Sequence, residues 1–218
     1  TERMKVTTCL NPLHTALAVY GCLLGYTLIC EEMKDPDLVR LVHRLGYQEG
    51  LPVVTDPGIL SPKSFIDEVV EQRLPNPFMP DAPQRIATDT SQKVGIRFGE
   101  TIKSYLAEGR SMDDLIALPL TLAGWLRYLL GKDDEGKDMA LSSDPLLEDL
   151  RKQLSGIELG NPDSVGEKLT PILRNALIFG VDLTETPLAS RITGYFLEEV
   201  ARPGAVRKTL KKYLETDR

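Results

Sequence analysis

The chain has no surplus of basic charge: 26 Lys and Arg stand against 32 Asp and Glu, for a net charge of -6. A general nucleic-acid binder normally shows a basic face, so that class is disfavoured, while a local anion pocket is not. Cysteines are few. Cys9, Cys22 and Cys30 form an odd set without metal-ligand spacing, and the expectation is buried free thiols in a reducing cytoplasm. No glycine-rich phosphate loop follows a strand, no paired metal spacing occurs, and there is no Gly-x-Ser-x-Gly elbow. Taken alone, the chain therefore shows no site for a cofactor or a metal. Internal repeats and the alternation of β-strands are also missing.

Charge is absent from Val6 to Cys30. A bilayer crossing takes roughly 20 apolar residues, so this run is long enough. It also holds Thr7, Thr8, Asn11, Pro12, His14, Thr15 and Thr27, and no similar run follows. A central core helix, apolar on all sides, explains it better, and no membrane partner is expected. At 218 residues with 42% hydrophobic and 27% charged content, the chain has the makeup of one ordinary globular domain.

Helix signals fill the rest. Asn11-Pro12 predicts a capped start, with the helix running through "LHTALAVYGCLLGYTLICEEM". Gly21 and Gly25 would leave a smooth strip for a second helix. Asp35-Pro36 starts a helix that Gly46 stops, and Ser61-Pro62 starts another. Four prolines in "PNPFMPDAP" predict a rigid extended link. A long helix then covers "APQRIATDTSQKVGIRFGETIKSYLAEG", and the next is kinked near Pro119. "KDDEGKD" is an exposed turn. Amphipathic helices follow near 144–154, 164–179, 187–200 and 203–214, the last of them solvated. The fold class is all-α, a multi-helical single domain over 1–218.

Two groups of residues have chemical promise. Asn11 and His14 project from one helical turn, and Lys5 lies just upstream. An amine that takes or gives a proton, with amide and imidazole donors holding an oxygen, suits chemistry at an alcohol or carbonyl. The bland alternative is a cap plus a satisfied core histidine. Arg85, Asp89 and Lys93 recur every four residues. They are either an exposed ladder of salt bridges or a cationic face for a carboxylate or polyol hydroxyls. Arg127 suits packing, with a pocket or partner as the other use.

In order along the chain, "K…LNPLHTALAVYGCLLGY", "RLPNPFMPDAPQRIATDTSQK" and "LAGWLRYLLGKD" resemble the C-terminal domain of the mannitol dehydrogenase family, the polyol-specific long-chain dehydrogenases. The resemblance is clearest from Lys5 to Asp133. It implies a two-domain oxidoreductase of which this chain is the helical substrate domain. NAD or NADP would be bound mainly by an N-terminal Rossmann-like domain absent from the chain. It implies no metal, a cytoplasmic location, and no turnover by this domain alone. By resemblance Lys5 is the general acid/base, Asn11 stabilises the developing alkoxide, and His14 orients the reacting hydroxyl. Arg85 and Lys93 would bind the far end of the substrate. The family pattern places the lysine five residues before the asparagine, a position held here by Val6, with Lys5 one residue further out. The implied substrate is a sugar acid or polyol. The mannonate/fructuronate pair is favoured and mannitol is the alternative. A non-catalytic helical interaction domain is the rival from another class.

Overall fold

The first helix, α1 (Asn11–Leu24), is the element around which the others are arranged. The computed structural model describes residues 9–215, and Lys5 lies outside them. Ala16, Leu17, Ala18, Val19 and Tyr20 are all fully buried, which explains the uncharged run: this helix has no face in water. Two expectations about it are corrected. Leu10, with helical φ -96° and ψ -53°, holds the cap position and makes no side-chain cap bond. Asn11 is therefore already inside the helix and does not cap it. The helix also ends well before Met33. Gly25 adopts φ 84°, the left-handed conformation that glycine accepts cheaply, and the Tyr26 N–H closes back on the Gly21 carbonyl at 2.8 Å.

The chain then turns into α2 (Ile29–Glu32), and the anticipated glycine strip does not exist. A Cβ on Gly21 would lie 2.6 Å from the Glu32 carboxyl, whereas nothing lies near Gly25. Gly21 makes room for Glu32, and Gly25 makes the turn. Glu32 is fully buried, and among the described residues neither oxygen has a hydrogen-bond partner. Burial, with Asp35 adding to it, pushes its pKa from the usual 4.5 to about 10.

That neutral acid has a measurable signature. Above its ordinary pKa the unfolded chain is ionised there while the folded chain is not, so stability is lost as pH rises through this window. The slope is at most about 1.4 kcal/mol per pH unit. In Glu32→Gln this contribution disappears, so urea unfolding at pH 5, 7 and 9 should show the variant gaining steadily on the wild type. A constant difference across the three pH values would rule this out.

After α2, α3 (Pro36–His43) starts as expected, with Asp35 accepting from the Asp37 N–H. Gly46 does not stop it. The helix widens into a π turn (Arg44–Gly50) and a 3-10 turn (Leu51–Val53). Gly46 instead lets the backbone sit close to Ile66 and Leu13. α4 (Pro62–Glu68) is capped by Ser61. The proline-rich link that follows is tied down by Ile29, whose N–H donates to the Asp81 carbonyl at 2.8 Å, and by Gln84, whose amide donates to the Tyr26 carbonyl at 2.9 Å.

The long helix expected from Ala82 to Gly109 is divided. α5 (Pro83–Ile86) and α6 (Thr90–Val94) are separated by Asp89 at φ 55°. From α6 the chain passes through a π turn (Gly95–Gly99) into α7 (Glu100–Ala107). Next comes α8 (Ala117–Tyr128), buried at every residue. Pro119 does not kink it, because a proline in the first turn gives up an N–H that has no helical partner anyway.

Shorter pieces complete the fold: α9 (Leu147–Gln153), α10 (Thr170–Leu173), α11 (Ala176–Phe179), α12 (Leu188–Glu199) and α13 (Ala205–Leu214). The single helix expected over 164–179 is thus two short ones, with Asn175 capping the second. The 132–138 turn is only partly exposed. Asp134 is buried, and its carboxylate accepts from the N–H groups of Val206 and Arg207 at the start of α13. Nor is α13 simply solvated: Val206, Leu210 and Leu214 are buried, and Arg207 bridges Asp35 and Asp37. Arg127 is buried as packing, donating to the carbonyls of Lys132 and Asp133. Among the described residues there is no strand beyond isolated bridges, and no helix is long and apolar enough to cross a membrane. The fold is all-α.

Candidate active site

The first turn of α1 carries Asn11, His14 and Thr15. The Thr15 hydroxyl donates back to the Asn11 carbonyl at 2.9 Å. The Asn11 side-chain amide makes no hydrogen bond among the described residues, so it is free to serve a ligand. His14 is half-buried. Burial lowers its pKa below the usual 6.5, Asp81 pulls it back, and Arg97 and Arg85 lower it further. At neutral pH it is an uncharged imidazole, able to donate one hydrogen bond and accept another.

Helix α5 packs against α1 and brings Arg85 to the same place. Arg85 pairs with Asp81, four residues back in the proline-rich link, and not with Asp89. This is where the four-residue ladder fails. Asp89 is the one non-glycine residue with positive φ among those described, a conformation that costs on the order of 1 kcal/mol or more. Residues from further along the chain hold it there. The Asp89 N–H donates to the Ser143 carbonyl at 2.9 Å, and the Ser91 N–H donates to the Asp144 carboxylate at 2.8 Å. The bend separates Arg85 from Lys93 onto two helices.

Lys93 donates to the Thr88 carbonyl. Its pKa is lowered first by burial and then by Arg97, with Arg85 also lowering it and Asp89 and Asp144 opposing. The same two arginines thus act on His14 and on Lys93. Of the residues expected from the sequence, Asn11, His14, Arg85 and Lys93 are gathered into one neighbourhood, and Lys5 lies outside the described residues. Four contributors were not anticipated: Thr15, Asp81, Asp144 and Arg97. Arg97 had a readable signal, since it continues the register of Lys93 by one more turn.

The arrangement offers neutral hydrogen-bonding groups on one turn beside a group of cations. It suits an oxygen-rich ligand with a negatively charged end.

D-mannonate oxidoreductase of Thermotoga maritima is 57% identical over 97% of this chain and 39% of its own length. An uncharacterised oxidoreductase of Escherichia coli, YdfI, is 30% identical over 97% of this chain and 41% of its own. The chain thus spans about two fifths of the length of these relatives. In fold it resembles a solved structure of Pseudomonas fluorescens mannitol 2-dehydrogenase, a ternary complex with NAD and D-mannitol. The TM-score is 0.79 at 24% identity, covering 98% of this chain and 40% of that one. Residues 2–199 match the mannitol dehydrogenase C-terminal domain. The chain belongs to the mannitol dehydrogenase family, as its C-terminal domain.

Proposed function

We propose that this chain is the substrate-binding domain of an NAD- or NADP-dependent oxidoreductase that interconverts a sugar acid and its keto form, with mannonate and fructuronate as the pair. The observation that carries the reading is the meeting of an unpartnered Asn11 amide and a neutral His14 with the cations Arg85, Lys93 and Arg97. The 57% identity to a D-mannonate oxidoreductase supports the choice of substrate. The dinucleotide is assigned to a further, N-terminal domain, which the greater length of the relatives supports. A cytoplasmic location belongs to the same reading, in keeping with three buried cysteines that form no disulfide among the described residues.

In this scheme the keto oxygen of the substrate sits over the first turn of α1. The Asn11 amide and the His14 imidazole donate to it, and both hydrogen bonds strengthen as negative charge develops on the oxygen. Lys5 then passes the oxygen its proton, and in the reverse direction takes it back. Arg85 and Lys93 hold the distal hydroxyls or carboxylate and fix which carbon faces the reaction. A bound reduced nicotinamide supplies the hydride.

The test is a substrate panel on the full-length protein with NADH and NADPH: fructuronate, tagaturonate, fructose and their phosphates. Fructuronate should have the highest kcat/KM, exceeding fructose by roughly a hundredfold, the scale of one well-placed charged contact. Faster turnover of fructose, or of mannitol in the reverse direction, would replace the sugar acid with a hexitol.

A further inference from the structure

Arg97 occupies an unusual position. It lies in the middle of the π turn Gly95–Gly99, whose two glycines are pressed against α11. A Cβ on Gly95 would come within 2.6 Å of the Ile178 carbonyl oxygen, and one on Gly99 within 1.9 Å of that of Phe179. No other residue type fits either position without moving α11. The backbone carrying Arg97 is therefore clamped from behind, and π turns of this kind recur at functional sites.

From the clamp the side chain reaches α1. One guanidinium nitrogen donates to the Thr15 hydroxyl, which itself donates to the Asn11 carbonyl. No carboxylate pairs with Arg97, and its remaining N–H groups make no hydrogen bond among the described residues. The neighbouring acids are engaged elsewhere: Asp81 with Arg85, and Asp144 with Ser91. Arg97 is half-buried, and burial alone lowers its pKa, to about 10, so it is charged at neutral pH. A half-buried guanidinium lacking a counter-anion is costly unless something supplies one.

We propose that Arg97 is a further substrate-binding residue, its planar fork receiving the carboxylate of the sugar acid while Thr15 steadies one edge. This rests on the sugar-acid reading above. It also makes Arg97 the residue that separates acids from neutral polyols, since a guanidinium fork matches a carboxylate in a way that a single ammonium does not.

The experiment compares fructuronate with fructose, similar keto chains with and without the carboxylate, on the full-length enzyme. KM is measured, or Ki where turnover is slow. Arg97→Gln should raise KM for fructuronate about 10- to 100-fold, with kcat less affected and the fructose constant within about threefold. Arg97→Lys, which keeps the charge and loses the fork, should fall between wild type and Arg97→Gln. Thr15→Val removes the hydroxyl that steadies one edge of the fork and leaves the guanidinium, so it should raise KM for fructuronate, but by less than Arg97→Gln does. Equal losses for both substrates, an unchanged KM in Arg97→Gln, or Thr15→Val reproducing Arg97→Gln would each overturn the assignment. A wild type that turns over no fructuronate at all fails the proposed function, and this inference falls with it.

Discussion

Replacing Asn11 with alanine is expected to lower kcat for fructuronate reduction by about 10²- to 10³-fold, the loss seen when one donor to a developing oxyanion is removed. Stability should be unchanged or slightly improved. The two readouts together separate the competing roles of this residue. Were Asn11 a helix cap, its truncation would cost about 1 kcal/mol of stability. It is not at the cap position: Leu10 is, and Asn11 already lies within α1. Alanine is the best helix former, so an exchange inside the first turn has no reason to weaken the helix. The Asn11 backbone carbonyl, which Thr15 uses, survives the substitution. Steady-state kinetics on the full-length protein, beside a thermal melt, give the answer. A lowered melting temperature with normal kcat would return Asn11 to a structural role.

The largest stability effect is expected at Glu49. Its side chain is fully buried, and its two oxygens together accept from the N–H groups of Ile116, Ala117 and Leu118 at 3.2, 2.7 and 2.8 Å. Arg44 donates to the same carboxylate at 3.0 Å. One acid from the turn after α3 thus satisfies the start of α8, the helix buried at every position. Glu49→Ala leaves those N–H groups without their acceptor and takes from the largely buried Arg44 the carboxylate it donates to, at a cost of about 3–5 kcal/mol. Domain stabilities are only about 5–15 kcal/mol, so the variant should unfold at a much lower urea concentration. Glu49→Gln keeps one acceptor oxygen and turns the other into a donor facing donors, and it should lose roughly half as much. A midpoint for Glu49→Ala close to that of wild type would mean that water replaces the carboxylate.

Much of this was legible in the sequence, and several of the exceptions share a cause. An uncharged run with a proline start announces a central helix, and Asp35-Pro36 and Ser61-Pro62 announce caps that the fold uses. Spacing and resemblance single out Asn11, His14, Arg85 and Lys93 as candidates, and the fold gathers them into one neighbourhood. Several misreadings come from glycines and prolines taken as local punctuation when tertiary contacts decide their use. Gly46 and Gly21 are places where another element comes close. Pro119 is harmless because a remote glutamate has satisfied the helix start just before it. Asp89 could not be read at all. Its left-handed backbone depends on Ser143 and Asp144, more than 50 residues away. Arg97 lies one more step along the four-residue register of Arg85, Asp89 and Lys93, and spacing alone does not separate it from an exposed ladder.

The ties from Ser143 and Asp144 also bear on how the chain could be divided. The turn at 132–138 is the obvious place to cut, being short and charged. A cut there would leave α6 without its cap and would release the peptide that holds Asp89 in its left-handed conformation. It would also sever the path from Asp134 to the start of α13, while the π turn carrying Arg97 would lose the α11 surface it leans on. Neither half owns the proposed substrate face. The polar residues that would greet a sugar come from the first half of the chain, but their geometry is written in the second.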